Sequence, residues 1–241
     1  MSAPSPQLLL LSNSRAADGS YLTWPRDEVQ AFLGVRLRAV LFIPFAAVPG
    51  TAAVYDDYAQ RVRSAFAAMG YGVAALHAAE DAAQAVRTAA AIVIGGGNTF
   101  HLLSQLHAAG LTEVIGERVR AGIPYLGWSA GSVVACPSIS TTNDMPIIAP
   151  PSLRALDLVD FQINVHYTDA HPSGHQGETR DERIAEFLSL HPAMTVIGLR
   201  EGSLLHVSGI DVRLAGTGAR VFRAGQPVLD WAANEPLPRA G

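Results

Sequence analysis

Ile123-Pro124-Tyr125-Leu126-Gly127-Trp128-Ser129-Ala130-Gly131 is an apolar run that breaks into Gly-x-Ser-x-Gly and continues in small residues. A short buried strand, that pentapeptide and then a helix make the setting of a nucleophile elbow. The turn is too sharp to leave room for side chains beside the serine, which accounts for the flanking glycines. It lifts the Ser129 hydroxyl above the sheet edge. It also points the next helix N-terminus, with free N–H groups, at a developing oxyanion. A glycine-rich turn that merely closes a buried strand is the plainer alternative, and the context favours the elbow.

Leu8–Leu11, Ala39–Phe45, Val73–Leu76, Ala91–Ile94 and Tyr125–Trp128 are apolar runs bounded by Gly, Pro, Ser or Asn. Such runs suit strands buried on both faces of a parallel sheet. Between the second and third, Tyr58, Val62, Ala65, Phe66 and Met69 fall on one helical face, and Gly70 stands at the stop position. Further helices are expected over Asp81–Ala89, Thr99–Ala109, Thr112–Ala121 and about Arg180 to Leu190. Gln162–His166 and Thr195–Leu199 read as strands. Ser203–Val207, Val212–Ala215 and Arg220–Arg223 suggest a closing antiparallel meander. The fold class is therefore α/β: an open, doubly wound, mostly parallel sheet with right-handed crossovers and a C-terminal antiparallel extension. A chain of 241 residues fits one α/β domain over 1–241, with a loose tail from Asn234. Loops near 146–152 and 172–177 read as surface excursions.

Composition excludes several chemistries. All 17 basic residues are arginine, so a Ser-Lys dyad, a Schiff-base lysine and a phosphate-loop lysine are ruled out. Cys136 is the single cysteine, which leaves no internal disulfide and no cysteine zinc site. A net charge of −4 argues against nucleic acid or an anionic membrane as partner. The apolar N-terminal run is short and has no basic residue before it, and no stretch is long enough to span a membrane. A soluble, cytoplasmic protein without cofactor or metal is expected.

Gly95-Gly96-Gly97-Asn98-Thr99-Phe100 follows another strand. A dinucleotide fingerprint needs glycine where Phe100 stands, so the turn reads as a nest of N–H groups able to face an anion, with Asn98 or Thr99 as helix cap. With no lysine present, the base for Ser129 must be one of eight histidines. His101 and His107 lie within a helix, and His77, His191 and His206 are lone residues near strand ends. His166 ends the strand Gln162–Val165 and opens a polar loop, so it leads; His171 and His175 follow. Cys136 has no elbow of its own and reads as a small buried residue.

Eight segments, taken together, resemble one family. They are Leu8 to Ser14, Phe42 to Ala46, Gly95 to Phe100, Gly127 to Gly131, Thr141-Thr142-Asn143-Asp144-Met145-Pro146, Gln162 to His166, Gly177 to Arg180, and Val196 to Gly202. In this order they are similar to peptidase E, the aspartyl dipeptidases, whose fold resembles the class I glutamine amidotransferase domain with serine in place of cysteine. The resemblance implies removal of an N-terminal aspartate from dipeptides, with Ser129 as nucleophile and His166 as base. Asp144 and Glu201 both match positions suited to orienting the histidine, with Glu201 ahead because it follows a core strand. Backbone N–H groups of Gly97 and Ala130 are the expected oxyanion donors. The substrate carboxylate needs a cation, for which Arg180 is the first candidate, with Arg200 and Asn98 next. The expected partner is a small Asp-Xaa peptide, and the oligomeric state stays open between monomer and homodimer. Rival readings are a hydrolase of a related acidic linkage, as in cyanophycinases, an esterase, or a catalytically silent binding protein.

Overall fold

The computed structural model describes residues 5–170 and 176–238. In chain order the elements are β1 (Gln7–Leu11), α1 (Arg26–Leu33), β2 (Ala39–Ile43), α2 (Ala52–Ala67), β3 (Gly72–Ala75), α3 (Ala82–Thr88), β4 (Ile92–Ile94), α4 (Thr99–Ala108), α5 (Leu111–Arg120), β5 (Tyr125–Trp128), α6 (Ala130–Val133), β6 (Gln162–Tyr167), α7 (Arg180–Leu190), β7 (Thr195–Arg200), β8 (Ser203–Ser208), β9 (Asp211–Gly216), β10 (Ala219–Arg223) and β11 (Leu229–Trp231).

The first sheet runs β3-β2-β4-β5-β1-β8-β9. Its β3, β2, β4, β5 and β1 are parallel, and β8 and β9 are antiparallel. The all-apolar character of β1 follows from helices on both faces. Leu8 and Leu10 enter one core with Ile92, Ile94 and Tyr125, while Leu9 and Leu11 enter the other with Phe42, Leu126 and Trp128. Each of these leucines is completely buried, a transfer that stabilises by about 1.5–3 kcal/mol per side chain. In register, Leu11 stands opposite Trp128 and Ile94 opposite Gly127. The carboxyl ends of β1, β4 and β5 therefore meet where Ser129 begins.

The second sheet, β11-β10-β7-β6, corrects part of the expected topology. Ser203–Ser208 and Asp211–Gly216 extend the first sheet beside β1, but Ala219–Arg223 crosses to pair with β7. The expected meander is thus divided between two sheets. β1 has an open hydrogen-bonding edge for β8, and β7 has one for β10; the apolar pattern of the three strands is the same in either arrangement. β6 and β7 are parallel and joined through α7, whose N-terminus is closed by a capping box between Thr179 and Glu182.

Helix α1 lies in a stretch for which the sequence suggested no element. It opens after Pro25 with Asp27 and Glu28 in its first turn and buries Val29 and Leu33. The segment expected as a loose tail is bonded up to Pro238: Asn234 N–H donates to Leu214 O at 2.7 Å and Leu237 N–H to Val212 O at 3.1 Å. Among the described residues no helix is long and apolar enough to cross a membrane.

Candidate active site

Ser129 occupies a strained turn, with φ 52° and ψ −117°. A non-glycine residue held there costs of the order of 1–3 kcal/mol and persists only where its surroundings over-determine it. They do so here. Ser129 N–H donates to Leu11 O at 3.0 Å, and Ser132 N–H returns to Ser129 O at 2.9 Å. Tyr125 Oη donates to Gly131 O at 2.6 Å. Gly131 presses on β4 so closely that a Cβ would lie 2.1 Å from Ile94 O. A side chain there would push the elbow off the sheet.

His166 reaches the serine by a second distortion. The β6–β7 register shifts between Asn164 and Tyr167, and His166 has φ 51°. A bulge of this kind re-aims a side chain. The freed His166 N–H donates to Ser12 Oγ at 2.9 Å, and Ser12 Oγ donates to Leu199 O at 2.8 Å. Ser12, fully buried at the end of β1, thereby ties the first sheet to the second. Nε2 of His166 lies 2.9 Å from Ser129 Oγ, and Nδ1 lies 2.7 Å from Glu201 Oε1. A carboxylate at Nδ1 holds the proton there and leaves the Nε2 lone pair for the Ser129 O–H. Glu201 follows β7 directly, and its own backbone is fixed by Thr217 Oγ1 donating to Glu201 O at 2.6 Å. Of the two acids weighed from sequence, Glu201 is the one on the histidine.

Asp144 stands elsewhere. Its Oδ2 accepts from Thr99 N–H at 2.7 Å, from Thr99 Oγ1, and from Thr142 Oγ1 at 3.2 Å. It is an anion at the N-terminus of α4, where helix N–H groups favour negative charge. Asn98 caps the same helix through His101 N–H at 3.0 Å and donates to Met145 O at 2.9 Å. It also lines the cavity above Ser129. In the adjoining turn Gly97 has φ +143°, and a Cβ would lie 2.2 Å from Ala46 O, so only glycine fits. Gly97 shares the Ser129 cavity, and Ala130 opens α6 immediately after the serine.

The cavity holding Ser129 and His166 has a volume of about 450 Å³, and its remaining charged lining is Arg15, Asp57 and Arg61. Arg180 is not among its lining residues. The Arg180 guanidinium, held below its ordinary pKa by burial and by nearby Arg183, donates to Asn143 Oδ1. Asn143 in turn donates to Val165 O at 2.8 Å. Arg200 is taken up by Asp169 at 2.9 Å and Asp230 at 3.3 Å. Sequence reasoning passed over Ser12, Arg15, Tyr21 and Arg61. The trace of Arg61 was its position one helical turn past Tyr58 on α2, on the side facing the elbow.

The other histidines have partners of their own: His101 Nδ1 with Phe45 O at 2.7 Å, His77 with Asp56 at 2.9 Å and His206 with Glu28 at 2.8 Å. His171 and His175 lie outside the described residues. Among the described residues no group of three or more His, Cys, Asp or Glu is placed to hold a metal ion. Cys136 is fully buried, and burial pushes its thiol up to about 12. It should therefore stay unalkylated by iodoacetamide at pH 8 until the protein is denatured. Native-state modification detected by mass spectrometry would contradict this placement.

A serine hydroxyl hydrogen-bonded to an imidazole at the rim of a mostly parallel sheet is the chemistry of a serine-type hydrolase. Similarity to known proteins narrows that class. Residues 8–215 match Peptidase family S51. Peptidase E of a Nostoc species is 48% identical over 234 residues, covering 97% of this chain and 96% of that one. Peptidase E of Salmonella typhimurium is 43% identical over 229 residues, covering 95% and 98%. The chain belongs to peptidase family S51 and is a serine-type peptidase. In fold it is similar to a peptidase from an acI-B1 Actinobacterium, with a TM-score of 0.74 at 19% identity, covering 98% of this chain and 97% of that one. A putative peptidase E protein from Listeria monocytogenes EGD-e gives 0.65 at 24% identity, covering 88% and 98%.

Proposed function

We propose that this peptidase hydrolyses dipeptides with an N-terminal aspartate, through an aspartyl-serine ester on Ser129. The observation that carries the reading is the hydrogen-bonded series Ser129–His166–Glu201, at 2.9 and 2.7 Å, opening into a cavity with arginine in its walls. His166 takes the hydroxyl proton as Ser129 Oγ attacks the scissile carbonyl. Glu201 keeps the imidazole in the right tautomer and stabilises the imidazolium. The tetrahedral oxyanion is received by the N–H groups of Gly97 and Ala130, each worth about 3 kcal/mol when aligned. His166 then passes its proton to the leaving amine, and water, activated by the same histidine, releases aspartate. The nearness of the peptidase E relatives supports this reading, as does an arginine-lined site that favours acidic substrates.

The test is a panel of first residues. Asp-Leu should be cleaved and Ala-Leu should not be measurably, because an arginine-lined pocket without its carboxylate is left with an unpaired charge. Glu-Leu should be poor, since one extra methylene displaces the scissile carbonyl. Equal cleavage of Asp-Leu and Ala-Leu would remove the aspartate specificity.

A further inference from the structure

Three side chains in the wall of the Ser129 cavity have bonding capacity that the mechanism leaves unused. The Tyr21 hydroxyl is buried beside Tyr58 and Ser14 and makes no hydrogen bond of good geometry to either. The Arg61 guanidinium has neither an ion pair nor a hydrogen bond among them; it lies 5.9 Å from the ring centroids of both Tyr21 and Tyr58. Arg15 lies 5.9 Å from the Tyr21 centroid as well, and its one hydrogen bond is to Gly19 O at 3.1 Å. An orphaned buried hydroxyl costs about 1–3 kcal/mol, so a native structure retains one only for a reason. All three groups are donors, and all converge on one ring.

They also stand on rigid ground beside the nucleophile. Tyr58 Oη donates to Gly96 O and accepts from Trp128 Nε1, both at 3.0 Å. Tyr21 meets Trp128 edge-on at 6.3 Å. Trp128 is the residue before Ser129 and is stacked on Phe42 at 5.9 Å. A cation held against two aromatic faces is pre-oriented, and its fork can grip a carboxylate with two parallel bonds.

We propose that Arg61, Tyr21 and Arg15 form a carboxylate clamp that fixes the substrate in the Ser129 cavity. This deepens the peptidase reading and rests on it. The charges of the cavity complement such a ligand: Arg15, Arg61 and Asp57 are the opposite of a dipeptide with two carboxylates and one ammonium. The clamped group is either the aspartate side chain or the free C-terminus, which share one chemistry.

Calorimetric titration of the full-length Ser129→Ala protein separates these outcomes, using Asp-Leu, Asn-Leu, Asp-Leu amide and Asn-Leu amide. Adding Arg61→Gln should raise the Kd for Asp-Leu by about 30–100-fold, since a charged partner is lost in a site built for it. Tyr21→Phe should raise it by about 3–10-fold, the loss of one hydrogen bond. Arg61→Lys, keeping the charge but not the fork, should fall between. If the C-terminus is clamped, Asp-Leu amide ignores Arg61→Gln and Asn-Leu remains sensitive; if the side chain is clamped, that pattern reverses. Should Arg61→Gln fail to fold, Arg61→Lys and Tyr21→Phe carry the same comparison. Three results overturn the clamp: no change for any carboxylate ligand, an equal loss for Asn-Leu amide, which has no carboxylate, or a loss produced by Arg180→Ala and not by Arg61→Gln. If Asp-Leu does not bind but Glu-Leu or Ala-Leu binds in an Arg61-dependent way, the clamp stands and the aspartate specificity falls.

Discussion

Ser129→Ala should leave a folded protein whose turnover of Asp-Leu falls roughly 10⁴–10⁶-fold. In the proposed mechanism the hydroxyl forms the covalent bond, and Cys136 cannot replace it, being fully buried with its thiol raised to about 12. His166→Ala should cost a similar factor, because without the imidazole at 2.9 Å the serine keeps its proton. The double variant should be little worse than either single one, since nucleophile and base act as a unit. Folding should be retained in both. Each side chain projects from a backbone held by its own main-chain bonds, Ser129 N–H to Leu11 O and His166 N–H to Ser12 Oγ. Steady-state kinetics, with circular dichroism as the folding control, checks the set. A Ser129→Ala protein with near-normal turnover would end the serine mechanism.

The second large effect distinguishes the two acids. Glu201→Gln should lower kcat by about 10²–10⁴-fold, because the amide no longer enforces the Nδ1–H tautomer or balances the imidazolium charge. The lower part of that range is the better expectation, since the carboxylate is 64% exposed and water screens it. Asp144→Asn should change kcat less than tenfold. Its loss is charge against the N-terminus of α4, about 0.3–1 kcal/mol, visible as a fall of a few degrees in Tm. The reverse ranking, with Asp144→Asn the more damaging to kcat, would mean that the acid beside His166 is not the one that acts.

Much of this site is legible in the sequence because its signals are local. The elbow needs only a strand, two glycines and a serine, all within nine residues of text. The turn at Gly95–Asn98 is equally compact. Asp144 and Glu201 could be ranked but not settled that way, since Glu201 follows a core strand and Asp144 a polar loop, while which of them meets His166 depends on the neighbour that the fold brings near. Arg180 drew attention as the cation at a helix start, yet its hydrogen bond to Asn143 keeps it with β6, outside the lining of the cavity. Arg61 was the reverse case. Tyr21, one of the two rings it lies against, is far away in sequence, and the other, Tyr58, one helical turn earlier, is the only local trace of a role. The split of the last strands between two sheets was hidden for a related reason. Apolar alternation states that a strand has a buried face but not which partner edge it joins.

The two strained residues stand on different sheets, Ser129 at the end of β5 and His166 in the bulge of β6, with Ser12 bridging them. His166 lies 37 positions after Ser129, and Glu201 another 35 beyond that. At about 5–20 residues per second, a ribosome delivers Ser129 several seconds before Glu201. On the proposed mechanism the serine is an ordinary alcohol until His166 joins it. On that mechanism the nascent chain would carry no fully armed hydrolase past its neighbours, and reactivity would reach its full level only once β7 has docked and set Glu201 beside His166.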